Sequence, residues 1–156
     1  LSLGQATDTG DAEGNIIATS HTEISQAEFQ VACRQHIGAQ QQLPPMYSAL
    51  KHQGKPLYQY ARQGIDIQRQ PRNIHIHDIQ ILRFQFPEAQ ISVQCSKGTY
   101  MRALARDIGE ALQSGAHLIE LQRTRSGDMT LDRCITPDQI GDFLDRALGA
   151  THSIRI

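Results

Sequence analysis

A chain of 156 residues, 39% apolar and 20% charged, is long enough to bury one core and too apolar to remain disordered. Its formal net charge of −1 excludes a globally basic nucleic-acid binder. Its three cysteines, odd in number and widely spaced, exclude a disulfide framework and a Cys-x-x-Cys metal site. Cys33, Cys95 and Cys134 read as reduced, small apolar residues of a cytoplasmic protein, and no apolar run reaches the length of a membrane span.

Leu1–Gly4 reads as the end of a strand, Thr7–Asn15 as a polar turn and Ile16-Ile17 as the returning arm of a hairpin. The turn's acids, spaced D-x-x-D-x-E-G, miss the calcium-loop spacing. Ser25-Gln26-Ala27-Glu28 has the form of a capping box, and Phe29, Ala32, Cys33, His36 and Ile37 follow at helical spacing up to Gly38. Gln40–Gln42 is a short polar tract. Leu43-Pro44-Pro45 breaks regular structure, and Met46–Lys55 shows no period. Pro56 suits the first turn of a helix with Leu57, Tyr60 and Ala61 on one side, ended by Gly64.

Charge is unevenly spread. Positions 1–30 hold Asp8, Asp11, Glu13, Glu23 and Glu28 with no Lys or Arg. Positions 51–72 hold Lys51, Lys55, Arg62, Arg69 and Arg72 against Asp66. That basic run, with Tyr58 and Tyr60 inside it and Tyr47 just before, suits a phosphate-backbone surface with stacking groups, and equally a solvated charged face.

Ile74–Phe84 reads as a strand whose apolar phase changes between Ile76 and Ile79, which a bulge near His77-Asp78 reconciles. His75 and His77 share one face, as a metal pair would, but no third ligand is evident. Pro87-Glu88 turns the chain into Gln90–Ser126, read as strand, turn, helix, turn and strand. Ile91, Val93 and Cys95 alternate, Lys97-Gly98 turns, Thr99 is an N-cap candidate, and Met101, Leu104, Ala105, Ile108 and Leu112 form one helical stripe ended at Ser114-Gly115. Ile119 and Leu121 resume alternation. Arg102 stands in the first helical turn, where a cation opposes the helix dipole. Such an arginine often holds an anion, although a solvated or backbone-capping arginine fits the position too. Met129–Cys134 reads as a short strand. Thr136-Pro137-Asp138-Gln139 opens a final amphipathic helix through Ile140, Phe143, Leu144 and Ala147, closed by Gly149, with a tail at Thr151–Ile156. Strands interrupted by isolated helices, without regular βαβ alternation, predict an α/β fold of the α+β kind: one domain, with a mixed, mostly antiparallel sheet flanked by helices.

CSKGTYMRALARDIGEAL followed by GAHLIELQRTRSG resembles the late active-site block of TruB-type tRNA pseudouridine 55 synthases. LGQATDTGDAEG at 3–14 and PPMYSALKHQGKPLYQYARQG at 44–64 resemble two further blocks of that family, in the family's order, so that the three cover about half the chain. The resemblance implies a tRNA-modifying isomerase that flips uridine 55 of the T arm out of its loop and uses one aspartate, with no metal and no cofactor. It assigns Arg102 as the arginine that pairs with that aspartate, Leu121 as the apolar residue packed in the pocket and Tyr100 as an adjacent aromatic of the motif. It makes about 38–66 a mobile RNA-binding thumb. RNA contact is then expected at Tyr47, Ser48, Lys51, Gly54, Lys55, Tyr58, Arg62 and Lys97.

The family's catalytic aspartate lies in a motif close to G-x-L-D-P, which these 156 residues do not contain. Asp107 and Asp128 do not sit in such a motif. The family's C-terminal RNA-binding extension is expected to be absent as well. The chain is therefore expected to be a partial catalytic domain, inactive alone, whose partners are the T-arm stem-loop of tRNA and the missing amino-terminal segment. A partial domain exposes sheet edges, so a partner segment or self-association is expected there. The alternative is an RNA-binding module without catalysis.

Overall fold

The computed structural model describes residues 1–149. The tail predicted at Thr151–Ile156 and the side chain of Ala147 in the last helical stripe lie outside what is described. The chain forms two compact units, Leu1–Glu120 and Leu121 onward.

The first unit runs β1 (Ser2–Leu3), β2 (Gln5–Thr7), β3 (Ile16–Thr19), α1 (Gln26–Gln35), β4 (Gly38–Gln42), β5 (Lys51–His52), β6 (Lys55–Pro56), α2 (Leu57–Ala61), β7 (Arg72–Gln85), β8 (Glu88–Cys95), α3 (Met101–Ala111) and β9 (Ala116–His117). Five of these strands make one sheet in the order β4-β7-β8-β1-β9, with all four pairings antiparallel. The α+β class with a largely antiparallel sheet is the one predicted. Helices α1 and α3 contribute Phe29, Ala32, Cys33, Leu104, Ala105 and Ile108 to one core with Leu3, Ile74, Ile76, Ala89 and Ala116 of the sheet. The opposite phase of the long strands, His75, His77, Gln80, Gln90, Ser92 and Gln94, is exposed. This is the half-buried alternation of an antiparallel sheet covered on one side.

Strand β7 shows how the sequence sets register. Its pairing with β8 slips between Ile76 and Asp78 and again between Ile81 and Arg83. The first bulge lies where the phase change predicts it. The second returns the strand to its original phase, so that Phe84 faces the core and its ring lies 5.3 Å from that of Phe29. The intervening pair Leu82-Arg83, with its leucine exposed, is too weak a pattern to announce that second slip.

Helix α1 begins with the predicted capping box: Glu28 N–H donates to Ser25 Oγ at 3.3 Å and Ser25 N–H donates to Glu28 Oε2 at 2.8 Å. The hydrogen bonds from Ser25 hold the Glu28 carboxyl below its ordinary value of 4.5. Burial pushes the Cys33 thiol up to about 11.

Four local readings differ from the structure. The polar tract at 40–42 is strand, because β4 pairs along the whole of Arg72–Ile76, and backbone pairing there outweighs the low strand propensity of glutamine. The stretch at 51–56 is a hairpin: Gln53 (φ 49°) and Gly54 (φ 82°) form a two-residue turn with both φ positive, the geometry that matches strand twist. Thr99 does not cap α3, since its Oγ1 donates to Ser96 O at 2.9 Å and closes the turn at Gly98 (φ 84°), leaving Tyr100 as the N-cap residue. Ile119 and Leu121 do not form a strand; the β9 ladder ends at His117, pairing ends with an isolated parallel bridge between Leu118 and Asp11, and both side chains are exposed.

The second unit contains a small ladder of β10 (Arg125–Ser126) with β11 (Met129–Thr130), two 3₁₀ turns at Leu131–Arg133 and Pro137–Gln139, and α4 (Ile140–Gly149). The second turn carries the predicted capping box between Thr136 and Gln139, with proline at its start. The strand predicted over Met129–Cys134 is therefore only its first two residues.

Candidate active site

Arg102, at the second position of α3, is tied to three residues from distant parts of the first unit. Its Nη1 donates to the Asp11 carboxylate at 3.0 Å and to Thr9 O at 3.2 Å, and its Nη2 donates to Tyr47 O. The Arg102 and Asp11 side chains are each 26% exposed. A guanidinium at the positive end of a helix is unfavourable by itself, and the Asp11 carboxylate opposes that charge.

The loop between β2 and β3 is built to present Asp11. Thr7 Oγ1 donates to Asp11 O at 2.7 Å and Thr9 Oγ1 donates to Asp11 Oδ1 at 2.6 Å, while Asp8 closes the loop by accepting from Asn15 N–H at 2.9 Å. Gly10 (φ 76°) lies directly against Arg102: a Cβ there would come within 3.4 Å of Arg102 Cβ. The loop acids therefore have structural tasks, with Asp8 closing the turn and Asp11 facing the arginine.

Three of the five guanidinium N–H groups are thus used. Nε–H and one Nη2–H of Arg102 have no acceptor among the described residues. That leaves donors at the edge of the fork by which an arginine grips a second carboxylate.

Tyr100 is half-buried at the head of α3, with both main-chain polar groups held by Gln42: Tyr100 N–H donates to Gln42 Oε1 at 2.8 Å and Gln42 Nε2 donates to Tyr100 O at 3.2 Å. Tyr47 lends its carbonyl to Arg102, and its side chain is half-buried. Lys51, Gly54, Lys55 and Lys97 are exposed, the first three on the β5–β6 hairpin and the last beside the Gly98 turn. Tyr58 is half-buried, with Arg62 stacked 5.3 Å above its ring. Ser48 is only 5% exposed, its hydroxyl has no partner among the described residues, and its carbonyl accepts from Tyr58 N–H at 3.1 Å. In this conformation its side chain does not reach solvent. Leu121 is the first residue of the second unit and is 61% exposed.

The basic run is less free than its composition suggests. Arg69 points inward, donating to Pro44 O at 3.1 Å and pairing with Asp66 at 3.4 Å. The run contains a small ordered module in place of an irregular connection. Tyr60 Oη donates to His52 O at 3.2 Å, which ties the hairpin to α2. Asp11 and Gln42 carry no local signal of a role. Asp11 lies 91 residues from its arginine and Gln42 lies 58 from its tyrosine, so only the folded chain reveals either partnership. His75 and His77 lie side by side, with ring centroids 4.6 Å apart and planes tilted by 36°, and no group of three or more metal-ligating side chains occurs among the described residues.

The family model described as "TruB family pseudouridylate synthase (N terminal domain)" matches residues 1–101, and that described as "tRNA pseudouridylate synthase B C-terminal domain" matches 102–151. The chain belongs to the TruB family of pseudouridylate synthases. It is 50% identical over 143 residues to the tRNA pseudouridine synthase B of Neisseria gonorrhoeae (strain NCCP11945), covering 92% of this chain and 47% of that protein. It is 46% identical over 148 residues to that of Bordetella avium (strain 197N), covering 93% of this chain and 61% of that protein. Among solved structures, a chain of a Cbf5-Nop10-Gar1 complex superposes with a TM-score of 0.64 at 28% identity, over 80% of this chain and 33% of that one. The chain thus spans about half the length of its N. gonorrhoeae relative.

Proposed function

We propose that this chain is the arginine-bearing part of a tRNA pseudouridine synthase that isomerises uridine 55 in the T arm. Support comes first from Arg102, anchored on one side by Asp11, Thr9 and Tyr47 and still carrying unused donors on the other. Pseudouridine formation breaks the C1′–N1 glycosidic bond, turns the uracil and joins C1′ to C5. No atom is gained or lost overall, since the proton released from C5 is matched by one taken up at N1. The base must leave its stack to turn, so the target nucleotide is flipped into the site. Arg102 binds a catalytic carboxylate that is not among these 156 residues, orients it and keeps it ionised. Asp11 keeps the guanidinium in place when that carboxylate is not engaged.

Lys51, Lys55 and Lys97 neutralise phosphates of the T arm, and Tyr47 and Tyr58 offer rings against its bases. The hairpin–helix module at 51–61 is the head of a thumb over about 38–66. No cofactor enters the reaction. The 156 residues alone are expected to bind T-arm RNA without turning it over.

The test is pseudouridine formation in a T-arm stem-loop by the full-length protein. Arg102→Ala should lose at least about a hundred-fold in turnover, the scale of deleting one charge-stabilising group. Arg102→Lys should lose nearly as much, since a point charge cannot replace the fork. Turnover by Arg102→Ala equal to that of the unmodified protein refutes the proposal.

A further inference from the structure

Of the buried polar side chains that the mechanism leaves unused, one lies directly behind the head of α3. Gln42, the last residue of β4, is 3% exposed. Its amide makes a reciprocal pair with the main chain of Tyr100, accepting from N–H at 2.8 Å and donating to C=O at 3.2 Å. The same Tyr100 carbonyl receives the first helical bond of α3, from Leu104 N–H at 3.0 Å. Both the position of the N-cap residue and the direction in which its carbonyl opens the helix are therefore set by one side chain from another strand. Arg102 follows two residues later.

Only an uncharged amide of this reach fits the task. One donor and one acceptor must be presented side by side, and both Tyr100 groups need partners where water is scarce. Beyond Gln42 the chain is tied to α3 twice more, by Leu43 O accepting from Arg106 Nη2 at 3.3 Å and by Tyr47 O accepting from Arg102 Nη2. The root of the 38–66 segment is thus joined to the first turns of α3 at residues 42, 43 and 47, and Gln42 is the buried end of that join.

We propose that Gln42 is a positioning residue for pseudouridine formation. It touches neither RNA nor the reacting atoms. It fixes the N-cap of α3 so that the unused edge of Arg102 stands ready for its carboxylate before RNA arrives. This rests on the function proposed above. Small misplacement of an orienting group is enough to slow a reaction without weakening substrate binding.

The experiment uses full-length protein with Gln42→Leu and Gln42→Glu, a T-arm stem-loop as substrate, and hydrogen exchange at the Tyr100 amide. Gln42→Leu should lower kcat by about ten- to a hundred-fold, the scale of two lost buried hydrogen bonds, with KM changed by less than about two-fold and Tyr100 exchange accelerated. Gln42→Glu keeps the size and the acceptor but, when ionised, turns an oxygen toward Tyr100 C=O. Burial raises the pKa of that carboxyl, so its kcat relative to the unmodified protein should recover as pH falls from about 8 to 5 and the carboxylic acid regains a donor. A purely structural role would give a recovery that only follows the folded fraction, so the folded fraction is measured at each pH and kcat is taken per folded molecule.

The inference is overturned if either variant keeps full kcat while Tyr100 exchange is faster. It is also overturned if exchange is unchanged in Gln42→Leu, or if the Gln42→Glu ratio is flat with pH and its loss of activity equals its unfolded fraction. If the unmodified protein makes no pseudouridine, the functional reading fails, and the exchange measurement still decides whether the clamp exists.

Discussion

Asp11 and Arg102 are two ends of one device. The carboxylate is held by a threonine hydroxyl on its own loop and reaches an arginine at the wrong end of a helix for its charge. Removing that charge while keeping the shape should leave the guanidinium mobile. Asp11→Asn is expected to lower turnover on T-arm RNA by about ten-fold or more with little change in melting temperature, because a partly exposed pair contributes modestly to stability. Single-turnover kinetics beside thermal melting would separate the two effects. The cysteines differ in a similarly readable way. Cys33 is buried with its thiol pushed up to about 11, whereas Cys134 is exposed. A thiol titration near pH 8 should label Cys134 in the folded protein and reach Cys33 only after unfolding, since the thiolate is the reactive form.

Among the elements, α3 bears the tightest constraint. Gly109 packs so closely on the turn into β9 that a Cβ there would collide with the main chain of Gly115 and Ala116. Those atoms are also fixed by the bonds that Ser114 and Gly115 N–H donate to Gly109 O, each 3.1 Å. Gly109→Ala should therefore destabilise the protein by about 1–3 kcal/mol or more despite the better helix propensity of alanine, measured as the shift of a urea midpoint. A glycine inside an amphipathic stripe hints at such contact, but the stripe of Met101, Leu104 and Ile108 says nothing about which backbone lies opposite.

What was legible at this scale followed from local chemistry. The capping boxes at Ser25 and Thr136, the helix over 101–111 and the bulge at His77 each have a cause within a few residues. The strand at 38–42 and the clamp on Tyr100 do not: Gln41 and Gln42 look alike in sequence, and only pairing with Asn73 and Arg72 puts one in solvent and the other under α3. The resemblance to the family located Arg102 and the segment 44–64. It did not supply Asp11, which sits in one of the quoted blocks among other turn residues.

The molecule as a whole is near-neutral, so any attraction for RNA is local. Arg69 is spent on Pro44 and Asp66, and the exposed Arg62 is engaged over the Tyr58 ring, which leaves Lys51, Lys55 and Lys97 as the exposed lysines of the proposed contact set. Binding of a T-arm hairpin should then weaken with salt at a log–log slope of about −2 to −3, and each lysine changed to alanine should reduce that slope by roughly 0.7–0.9. A slope indistinguishable from zero, measured by filter binding or anisotropy, would mean that these lysines do not meet phosphate.

Arg102 grips Tyr47 by its carbonyl, which every amino acid possesses. The aromatic ring is therefore free of any duty toward the guanidinium, and exchanging it for alanine leaves that anchor standing. Whatever such an exchange takes away from catalysis measures the ring's own dealings with nucleic acid, so a single position can report separately on how the thumb is rooted and on what it touches.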